Sequence, residues 1–336
     1  MSKKRAVTMD DIAEWANVSK PTVSRALSDS PLVNAKTREH VLEVARKHGY
    51  AVNRHAQKLR HNRTNTIGVS IDFLSHRRNH ITDPFMFDLL AGVSEALGDR
   101  NQDLLLTAPN HNDLDAFQQI LLSRGVDGFI FLGQGHRESM IEECARSGAP
   151  MVVWGARRKR TPYCVVGSDN FLGGQLAGRY FLDNGRNNFL FVGDVSHSEI
   201  QLRLQGLQAI AEDSGSTVNI RHVSLQNFAY ASTLEAINDY LDSISTPPDA
   251  VFACSDSAAM ACIRSLSERG LRVPADVSVV GYNDIPSAGY FHPPITTIRQ
   301  DTYQAGALLV DKLMKIIDGK RPRSETINTE LIIRDT

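Results

Sequence analysis

The sequence predicts a small all-α domain at its amino end and a larger α/β domain of two similar lobes, each a doubly wound parallel sheet. Three observations lead to this prediction. In the first 65 residues, apolar positions recur every three to five residues, as in short helices. Later residues alternate short apolar runs with longer helical patterns, as in parallel strands joined by crossover helices. At 336 residues and 42% hydrophobic, the chain can form about two to three domains.

The first two helices are predicted within TMDDIAEWANVSKPTVSRAL, residues 8–27. Residues 17–19 interrupt the helical pattern and indicate a tight turn. Ser19 is a good N-cap and Pro21 is tolerated in a first helical turn, so the second helix is predicted to begin near Lys20. The residues predicted to face inward are Ile12, Ala13, Ala16, Val18, Val23 and Leu27.

Two short helices joined in this way form a helix-turn-helix, which places the start of its second helix in the DNA major groove. Lys20 and Arg25 would offer cations to guanine edges or phosphate, and hydroxyl groups would hold backbone oxygens. A small solvated helix pair is the alternative explanation of so short a pattern. The residues of the second helix predicted to face DNA are Lys20, Pro21, Thr22, Ser24 and Arg25.

Basic charge is concentrated in the same part of the chain. Residues 1–65 hold 13 Lys and Arg against 6 Asp and Glu, whereas the remaining residues hold 24 against 32. A basic small domain beside an acidic large one favours binding to phosphate through counterion release. The charge distribution therefore favours DNA binding over the solvated helix pair.

A third amphipathic helix is predicted over residues 35–48, with Gly49 just after its end. Its inward residues are predicted to be Val41, Leu42, Val44 and Ala45. Residues 53–61 follow as a short basic segment whose one large apolar residue is Leu59. This segment has too little apolar surface to fold alone, and a plain linker is the alternative to a functional helix.

Beyond Asn65, strand runs up to about Val166 are predicted to form one sheet, and those from Asn188 to Tyr282 a second. Doubly wound sheets bind ligands at the carboxyl ends of their strands, so the cleft between the lobes is the predicted small-molecule site. The predicted strand runs are TIGVSIDF, DLLLTA, DGFIFLG, MVVWG, NFLFVGD, NIRHVSL, DAVFACSD and VSVVGYND.

The side chains near these strand ends fit a sugar site. Such a site needs aromatic faces for the C–H-rich side of a sugar ring, together with fixed donors and acceptors for its hydroxyls. Phe85, Trp154 and Phe228 could supply the aromatic faces. Asp256 is a candidate hydrogen-bonding group, or else a strand-end or N-cap residue beside the site. The predicted effector-binding residues are Phe73, Phe85, Trp154, Arg203, Phe228, Ser255, Asp256 and Asn283.

Catalysis, metal binding and secretion are not expected. No GxGxxG follows the first predicted strand, and neither GxxxxGK[ST] nor GxSxG occurs. The four cysteines lack the spacing of a metal site or disulfide framework, so buried reduced thiols are expected. The start MSKKRAVTMDD has no apolar signal segment, and no stretch is long enough to span a membrane. We expect a cytoplasmic protein that is not an enzyme and has no cofactor.

Several motifs resemble, in order and spacing, the LacI/GalR family of bacterial transcriptional regulators. Besides residues 8–27 they are VNAKTREHVLEVARKHGY, NRHAQKL, DGFIFLG, LRLQG, ACSDSAAMACIRSLSERGLRVPADVSVVGYND and PPITTIRQD, which together span nearly the whole chain. The resemblance implies a headpiece over 1–52, a hinge helix and linker over 53–65, and a periplasmic-binding-protein-like effector domain. Its amino-terminal lobe is assigned to 66–166 plus about 300–326, and its carboxyl-terminal lobe to 167–299 plus about 327–336.

The resemblance also assigns residue roles. Paired hinge helices of a dimer would lie in the minor groove, where Leu59 would wedge between central base pairs and kink the duplex. Arg203 and Asn283 occupy family positions that hydrogen-bond sugar hydroxyls, and Phe228 an aromatic position over the ring. The remaining predicted DNA-binding residues are Thr8, Ser19, Asn34, Thr37, Asn53, Ala56 and Leu59.

The sequence departs from the family pattern at four positions. Val52 stands where Pro is common before the hinge. Ser255 replaces a common Asn and Asn283 a common Asp, and both changes reduce charge or reach. Gly155 stands where some sugar-binding relatives have a carboxylate, which would leave room for a larger ligand or a water-mediated contact.

We therefore predict a homodimeric repressor of carbohydrate-metabolism genes that binds palindromic operator DNA and is switched by a mono- or oligosaccharide. The DPF motif at residues 83–85 resembles relatives that sense glucosides, and the basic loop at 76–80 could cover a long or acidic ligand or be simply solvated. A two-lobed sugar-binding or receptor protein without a gene-regulatory role would lack the basic headpiece and carry a signal peptide. A regulator that responds to a purine is a further alternative.

Overall fold

A computed structural model describes residues 7–27, 30–50, 63–71, 83–107, 114–158, 161–215, 217–226 and 228–336. The chain divides into two compact units, Met1–Thr64 and Asn65–Thr336. No helix in the described ranges is long and apolar enough to cross a membrane. The four cysteines are buried and not paired in disulfides.

The first unit contains three helices, α1 (Met9–Trp15), α2 (Lys20–Leu27) and α3 (Ala35–Lys47). Their core has Ile12, Val23 and Val41 fully buried, with Ala16, Ala26, Val33 and Ala45 nearly so. The prediction that α2 begins at Lys20 is confirmed, as is the third helix, which ends one residue earlier than predicted. The inward positions predicted in α1 and α2 lie in or against this core.

Each of the three helices begins at a side chain that caps it. Thr8 forms a capping box with Asp11 at the start of α1. The Ser19 hydroxyl accepts a hydrogen bond from the Thr22 backbone N–H at 3.3 Å, and the Asn34 side chain accepts one from the Thr37 N–H at 2.8 Å. These bonds satisfy N–H groups that have no partner within the helix.

The first lobe of the second unit is built on a parallel sheet of six strands in the order β11-β5-β4-β3-β1-β2. Its strands are β1 (Thr66–Ile71), β2 (Asp103–Leu106), β3 (Gly128–Leu132), β4 (Met151–Trp154), β5 (Cys164–Ser168) and β11 (Glu325–Ile327). Its helices are α4 (Phe85–Gly98), α5 (Leu114–Leu122), α6 (Glu138–Arg146) and α12 (Thr302–Ile317).

The second lobe has a sheet of six strands in the order β12-β10-β9-β8-β6-β7, parallel except for β12, which runs antiparallel to β10. Its strands are β6 (Asn188–Val192), β7 (Asn219–Val223), β8 (Ala250–Ala253), β9 (Ser278–Asn283), β10 (Thr296–Arg299) and β12 (Glu330–Ile332). Its helices are α7 (Asn170–Asp183), α8 (Ser198–Asp213), α9 (Tyr230–Asp242), α10 (Asp256–Glu268) and α11 (Pro286–Tyr290).

The chain passes between the two sheets three times, after β5, after β10 and between β11 and β12. These crossings lie close to the lobe boundaries expected from the sequence. The structure adds four strands to the eight predicted runs, namely β5, β10, β11 and β12. Residues at the carboxyl ends of strands from both sheets line one cleft, for example Trp154 of β4 and Asn283 of β9. This is where open α/β sheets usually bind ligands.

Candidate DNA-binding helix and ligand cleft

The start of α2 combines a buried face with a polar exposed one. Val23 and Ala26 are buried against the other helices of the first unit, whereas Lys20, Pro21 and Arg25 are exposed. The face predicted to read DNA is therefore the solvent face of this helix. Thr22 and Ser24 are half-buried at its borders.

Local hydrogen bonds order this face in the free protein. The Ser19 and Thr22 hydroxyls bond each other at 2.8 Å. Lys20 Nζ donates to Asp10 Oδ2 at 2.8 Å, and both side chains are more than half exposed. An ion pair as exposed as this one contributes little to stability, so exchanging Asp10 for a DNA phosphate would cost little.

Of the other residues predicted to bind DNA, Thr8 and Asn34 act as helix caps and Thr37 lies in the first turn of α3. The N–H groups in the first turn of α3 that Asn34 does not cap suit an anion such as phosphate. Asn53, Ala56 and Leu59 lie outside the described residues, as does the remainder of the predicted hinge helix.

A cleft that is open to solvent lies between the two lobes, a place where small-molecule sites commonly occur. Residues of both lobes line it. They are Asp83, Phe85, Met86, Gly133, Gln134, Gly135, Trp154, Gly155, Ser168, Asn170, His197, Glu199, Ile200, Arg203, Phe228, Cys254, Ser255, Asn283 and Gln300. Six of the eight predicted effector-binding residues are among them. Phe73 lies outside the described residues, as does the basic loop at 76–80.

Arg203 is the buried cation of the cleft and projects from α8. Its Nε donates to Asn170 Oδ1 at 2.8 Å, and its Nη1 donates to the Cys254 carbonyl at 2.6 Å. Its guanidinium lies 3.4 Å from the centre of the Tyr282 ring, a cation–π contact. These contacts hold the guanidinium in one orientation.

Asn283 lies at the end of β9 in a strained backbone conformation. Its φ is +110° and that of Asp284 is +59°, values that side-chain-bearing residues rarely adopt. The turn is held by the Asp284 carboxylate, which accepts from Arg299 Nε at 2.7 Å and from Arg334 Nη2 at 2.6 Å. Such strain persists only where surrounding contacts determine the conformation, and here it aims the Asn283 amide into the cleft.

Aromatic rings flank these polar groups from both lobes. In the first lobe, the ring centres of Phe85 and Trp154 are 6.1 Å apart, and both side chains are nearly buried. In the second lobe, half-buried Phe228 makes an edge contact with His197, their ring centres being 5.2 Å apart. A ligand in the cleft would therefore meet aromatic carbon from two directions.

Gly155 does not leave the empty space that the sequence suggested. A Cβ atom at this position would lie 2.5 Å from Gln134 Oε1, so the Gln134 side chain fills the room. That oxygen accepts from the Ala156 N–H at 3.0 Å, and Gln134 Nε2 donates to the Tyr163 hydroxyl at 3.1 Å. The Gln134 side chain therefore forms the part of the cleft wall that a side chain at position 155 would otherwise form.

Asp256 requires a correction, because its carboxylate lies inside the second lobe and does not line the cleft. It accepts from the Thr297 hydroxyl and, at 2.9 Å, from the Ile285 backbone N–H. Complete burial raises the pKa of Asp256 to about 8, and these two bonds oppose the shift. Asp256 joins β10 to the turn after β9, whereas its neighbour Ser255 caps α10 and does line the cleft.

We expect the Asp256→Asn variant to change how stability depends on pH. A folded-state pKa above the unfolded value of about 4 means that folding favours the protonated acid. This contribution is complete below the unfolded pKa and is lost as the pH rises through about 8. Asparagine keeps a neutral group with an acceptor for Ile285. The Tm of wild type should therefore fall relative to that of Asp256→Asn between pH 6 and 8.

Differential scanning calorimetry of both proteins across this range measures the effect. Asp239→Asn, an exposed acid on α9, is the matched control and should track wild type. Parallel curves for wild type and Asp256→Asn would show that the buried carboxyl is ionised throughout.

Several polar residues line the cleft without having been predicted to bind a ligand, and four of them are Asp83, Ser168, Asn170 and Gln300. Asp83 precedes α4 and belongs to the DPF motif, in which Phe85 was predicted to bind the ligand. Ser168 and Gln300 stand at crossings between the sheets, and Asn170 begins α7. No periodic pattern marks such positions, so sequence reasoning had no signal for three of the four.

Known proteins resemble this chain over nearly its full length. Residues 8–53 match the family of bacterial regulatory proteins of the lacI type, and residues 179–336 match a periplasmic binding protein-like domain. The HTH-type transcriptional repressor PurR of Photobacterium profundum is 30% identical over 335 residues, covering 97% of each chain.

Two solved structures extend the comparison. The lac repressor dimer bound to operator and an anti-inducer has a TM-score of 0.82 at 25% identity, covering 99% of both chains. A complex of the transcriptional regulator CelR with cellobiose has a TM-score of 0.70 at 28% identity, covering 98% of this chain and 99% of that one.

Proposed function

The chain belongs to the LacI family of bacterial regulatory proteins, and from that premise we propose that it represses carbohydrate-metabolism genes under the control of a sugar-like ligand. It is a transcriptional regulator of that family. The proposal adds that a homodimer binds a palindromic operator, since two half-sites require two headpieces. It also adds that the ligand occupies the cleft between the lobes.

The observation that carries the proposal is the chemistry of the cleft. Aromatic rings from both lobes stand beside a guanidinium and an amide that are each fixed by their own hydrogen bonds. Aromatic faces with convergent fixed polar groups suit a hydroxyl-rich ring. The CelR relative binds cellobiose in its own solved complex, which supports the same class of ligand here.

Contacts to both lobes would let the ligand change their relative angle. Phe85 and Trp154 belong to the first lobe, whereas Arg203 and Phe228 belong to the second. A ligand that touches both sets stabilises one arrangement of the lobes over others, which is the basis of hinge closure. Linkage requires operator DNA to shift ligand affinity by the same factor that the ligand shifts operator affinity.

Arg158 adds a direct contact between the lobes at the edge of the cleft. It pairs with Glu138 of the first lobe at 2.6 Å and donates to the Ser198 hydroxyl of the second lobe at 2.6 Å. A change of lobe angle would have to break or remake these bonds. The protein's own side chains therefore support the arrangement of the lobes that the structure has.

A planar heterocycle such as a purine is the second candidate ligand. The flat faces of Trp154 and Phe228 would stack on a base as readily as on a sugar, and the Asn283 amide could hydrogen-bond its edge. The two candidate ligands require different sites. A sugar needs hydrogen-bonding partners for several hydroxyl groups, whereas a base needs a narrow space between flat apolar or aromatic surfaces.

Selection of bound sequences from random duplex DNA by the purified full-length protein tests the regulator function. We expect a palindromic consensus, and its absence would contradict operator binding. The selected duplex is then titrated with protein in the presence of cellobiose, glucose, ribose or hypoxanthine. A sugar that alters the operator Kd supports the carbohydrate assignment, whereas a response to hypoxanthine alone supports the second candidate.

A further inference from the structure

The crossing that follows β10 is short, because α12 of the first lobe begins at Thr302. Asp301 belongs to that helix as its N-cap, and its Oδ1 accepts from the Gln304 backbone N–H at 2.8 Å. Hinge motion is absorbed by a few residues at the ends of such elements. Gln300 is therefore the residue at which this crossing can bend when the angle between the lobes changes.

Gln300 is also bonded to a residue that lines the cleft. Its backbone N–H donates to the Asn283 carbonyl at 3.4 Å, and its Nε2 donates to Asn283 Oδ1 at 2.7 Å. The Gln300 side chain is buried, which strengthens the second bond. A bend at Gln300 must therefore move the Asn283 amide or break its hydrogen bond.

Arg299, the last residue of β10, fixes the second-lobe side of the same crossing. It is in register with Asn283 of β9 and with Glu330, the first residue of β12 after the crossing from β11. Its Nε donates to Asp284 Oδ2 at 2.7 Å, and its Nη1 lies 3.4 Å from Glu330 Oε2. One side chain thus joins the end of β10 to the strained turn and to the start of β12.

Arg334 also binds Asp284 but connects it to a different place. Its Nη2 donates to Asp284 Oδ1 at 2.6 Å, and its Nη1 donates to the Ile295 carbonyl, just before β10, at 2.8 Å. These bonds anchor the turn within the second lobe, away from the crossings. The two arginines therefore have separable tasks: Arg334 holds the turn in place, whereas Arg299 ties it to the crossings.

The exposure of Arg299 indicates that its main role is not to stabilise the fold. Its side chain is 45% exposed, and an ion pair as exposed as this one adds little to the free energy of unfolding. Among the described residues, Arg299 is not one of those that line the cleft. Its contribution is a fixed position for the end of β10, directly before the residue that can bend.

We infer that Arg299 is a positioning residue that confines bending of this crossing to Gln300, so that rotation of the lobes acts on Asn283. The inference rests on the proposed function in so far as a ligand in the cleft controls operator binding. With Arg299 held by Asp284 and Glu330, a change of lobe angle must disturb the bond between Gln300 and Asn283. Without its side chain, the end of β10 can yield, and the lobes turn without moving Asn283.

The test compares Arg299→Ala with Arg334→Ala in the full-length protein. Arg221→Ala is the matched control, because Arg221 is an exposed arginine on β7 of the same lobe. Arg299→Lys keeps the charge without the planar fork and should recover part of the wild-type behaviour. Circular dichroism confirms that each variant folds.

The first readout needs neither ligand nor DNA. Hydrogen exchange, measured by mass spectrometry, is followed in the peptide that covers residues 296–302. We expect Arg299→Ala to speed exchange at the end of β10 by about threefold or more, because local opening becomes easier, and Arg221→Ala to leave it unchanged. An unchanged rate in Arg299→Ala would overturn the inference.

The second readout adds the selected operator duplex. Coupling between sites is reciprocal, so operator binding should change the exchange of the turn amides at residues 283–285 in wild type. We expect Arg221→Ala to show the same change and Arg299→Ala less than half of it. A turn that does not respond to operator in wild type, or that responds fully in Arg299→Ala, would contradict the inference.

The third readout separates response from affinity. Calorimetry measures the Kd of cellobiose, glucose, ribose and hypoxanthine, and anisotropy measures operator Kd with and without each compound. We expect Arg299→Ala to reduce the ligand-induced change in operator Kd by about two- to 30-fold, a larger loss than that of ligand affinity. Arg334→Ala should show the reverse order, because it releases the turn that presents Asn283.

Equal losses of response and affinity in Arg299→Ala would make Arg299 a second anchor of the turn and overturn the inference. If none of the four compounds acts on wild type, it is the carbohydrate proposal that loses support. The exchange measurements with and without operator then still decide the role of Arg299.

Discussion

Replacing Arg203 with alanine is expected to abolish the response of operator binding to ligand while leaving ligand-free operator affinity within about twofold of wild type. The guanidinium is the buried cation of the cleft, and two of its nitrogens are already positioned by protein acceptors. Its loss removes the ligand's main fixed donor. The headpiece is a separate compact unit with its own core, so its contacts with DNA do not depend on this side chain.

The same substitution should lower the stability of the effector domain. It leaves Asn170 Oδ1 and the Cys254 carbonyl without their donors and uncovers the face of Tyr282. Each buried group left without a partner costs about 1–3 kcal/mol, so we expect the free energy of unfolding to fall by about 2–4 kcal/mol.

Urea unfolding measures the stability change, and a fluorescence-anisotropy titration of operator with and without the active sugar measures the response. Arg203→Lys is the control, because it keeps the charge but not the planar fork. It should restore part of the stability and little of the ligand response. A ligand response that survives in Arg203→Ala would remove this residue from the binding site.

Arg25→Ala is expected to weaken binding to the selected operator by about 1–3 kcal/mol, which corresponds to roughly five- to 150-fold in Kd. Arg25 is exposed in the last turn of α2, on the face opposite the buried Val23 and Ala26. A bidentate contact with guanine would be lost at one base position of each half-site. Repeating the DNA selection with the variant should therefore show relaxed preference at that position alone.

Arg46→Ala is the matched control, because Arg46 is exposed in the last turn of α3 and lies outside the predicted reading helix. It removes the same charge from the same unit. Equal loss in both variants, or equal loss for Arg25→Ala on operator and on random duplex, would assign Arg25 to phosphate contact and not to base reading.

Most of the fold could be predicted because its elements have strong apolar patterns. The three headpiece helices show helical spacing with capping residues before them, and the inner strands such as Gly128–Leu132 are continuous buried runs. The last two strands could not be predicted in this way. Glu325–Ile327 and Glu330–Ile332 are three-residue edge strands with exposed glutamates, so burial imposes no pattern on them. Their assignment depends on pairing with distant strands.

The ligand site was predictable only in part, for a different reason. Arg203, Phe228 and Asn283 were identified by resemblance, and the structure brings all three to the cleft. Asp256 follows a strand just as Asn283 does, yet its carboxylate turns inward because Thr297, 41 residues away, lies within hydrogen-bonding distance. Asp83 and Gln300 enter the site through side-chain geometry that joins separate lobes. A local sequence pattern does not indicate contacts between residues that are far apart in the chain.

The three crossings between the sheets have a consequence for synthesis of the protein. The first lobe begins at residue 66, but its helix Thr302–Ile317 and its edge strand Glu325–Ile327 are translated only after nearly all of the second lobe. Most of the chain must therefore emerge from the ribosome before either lobe is complete. The headpiece, in contrast, can form its core as soon as its own residues have emerged. A premature stop codon anywhere between residues 170 and 300 would leave both lobes unfinished and the headpiece intact. Nonsense alleles with a stop in this range should thus produce truncated chains that keep a folded DNA-reading unit but cannot sense a ligand.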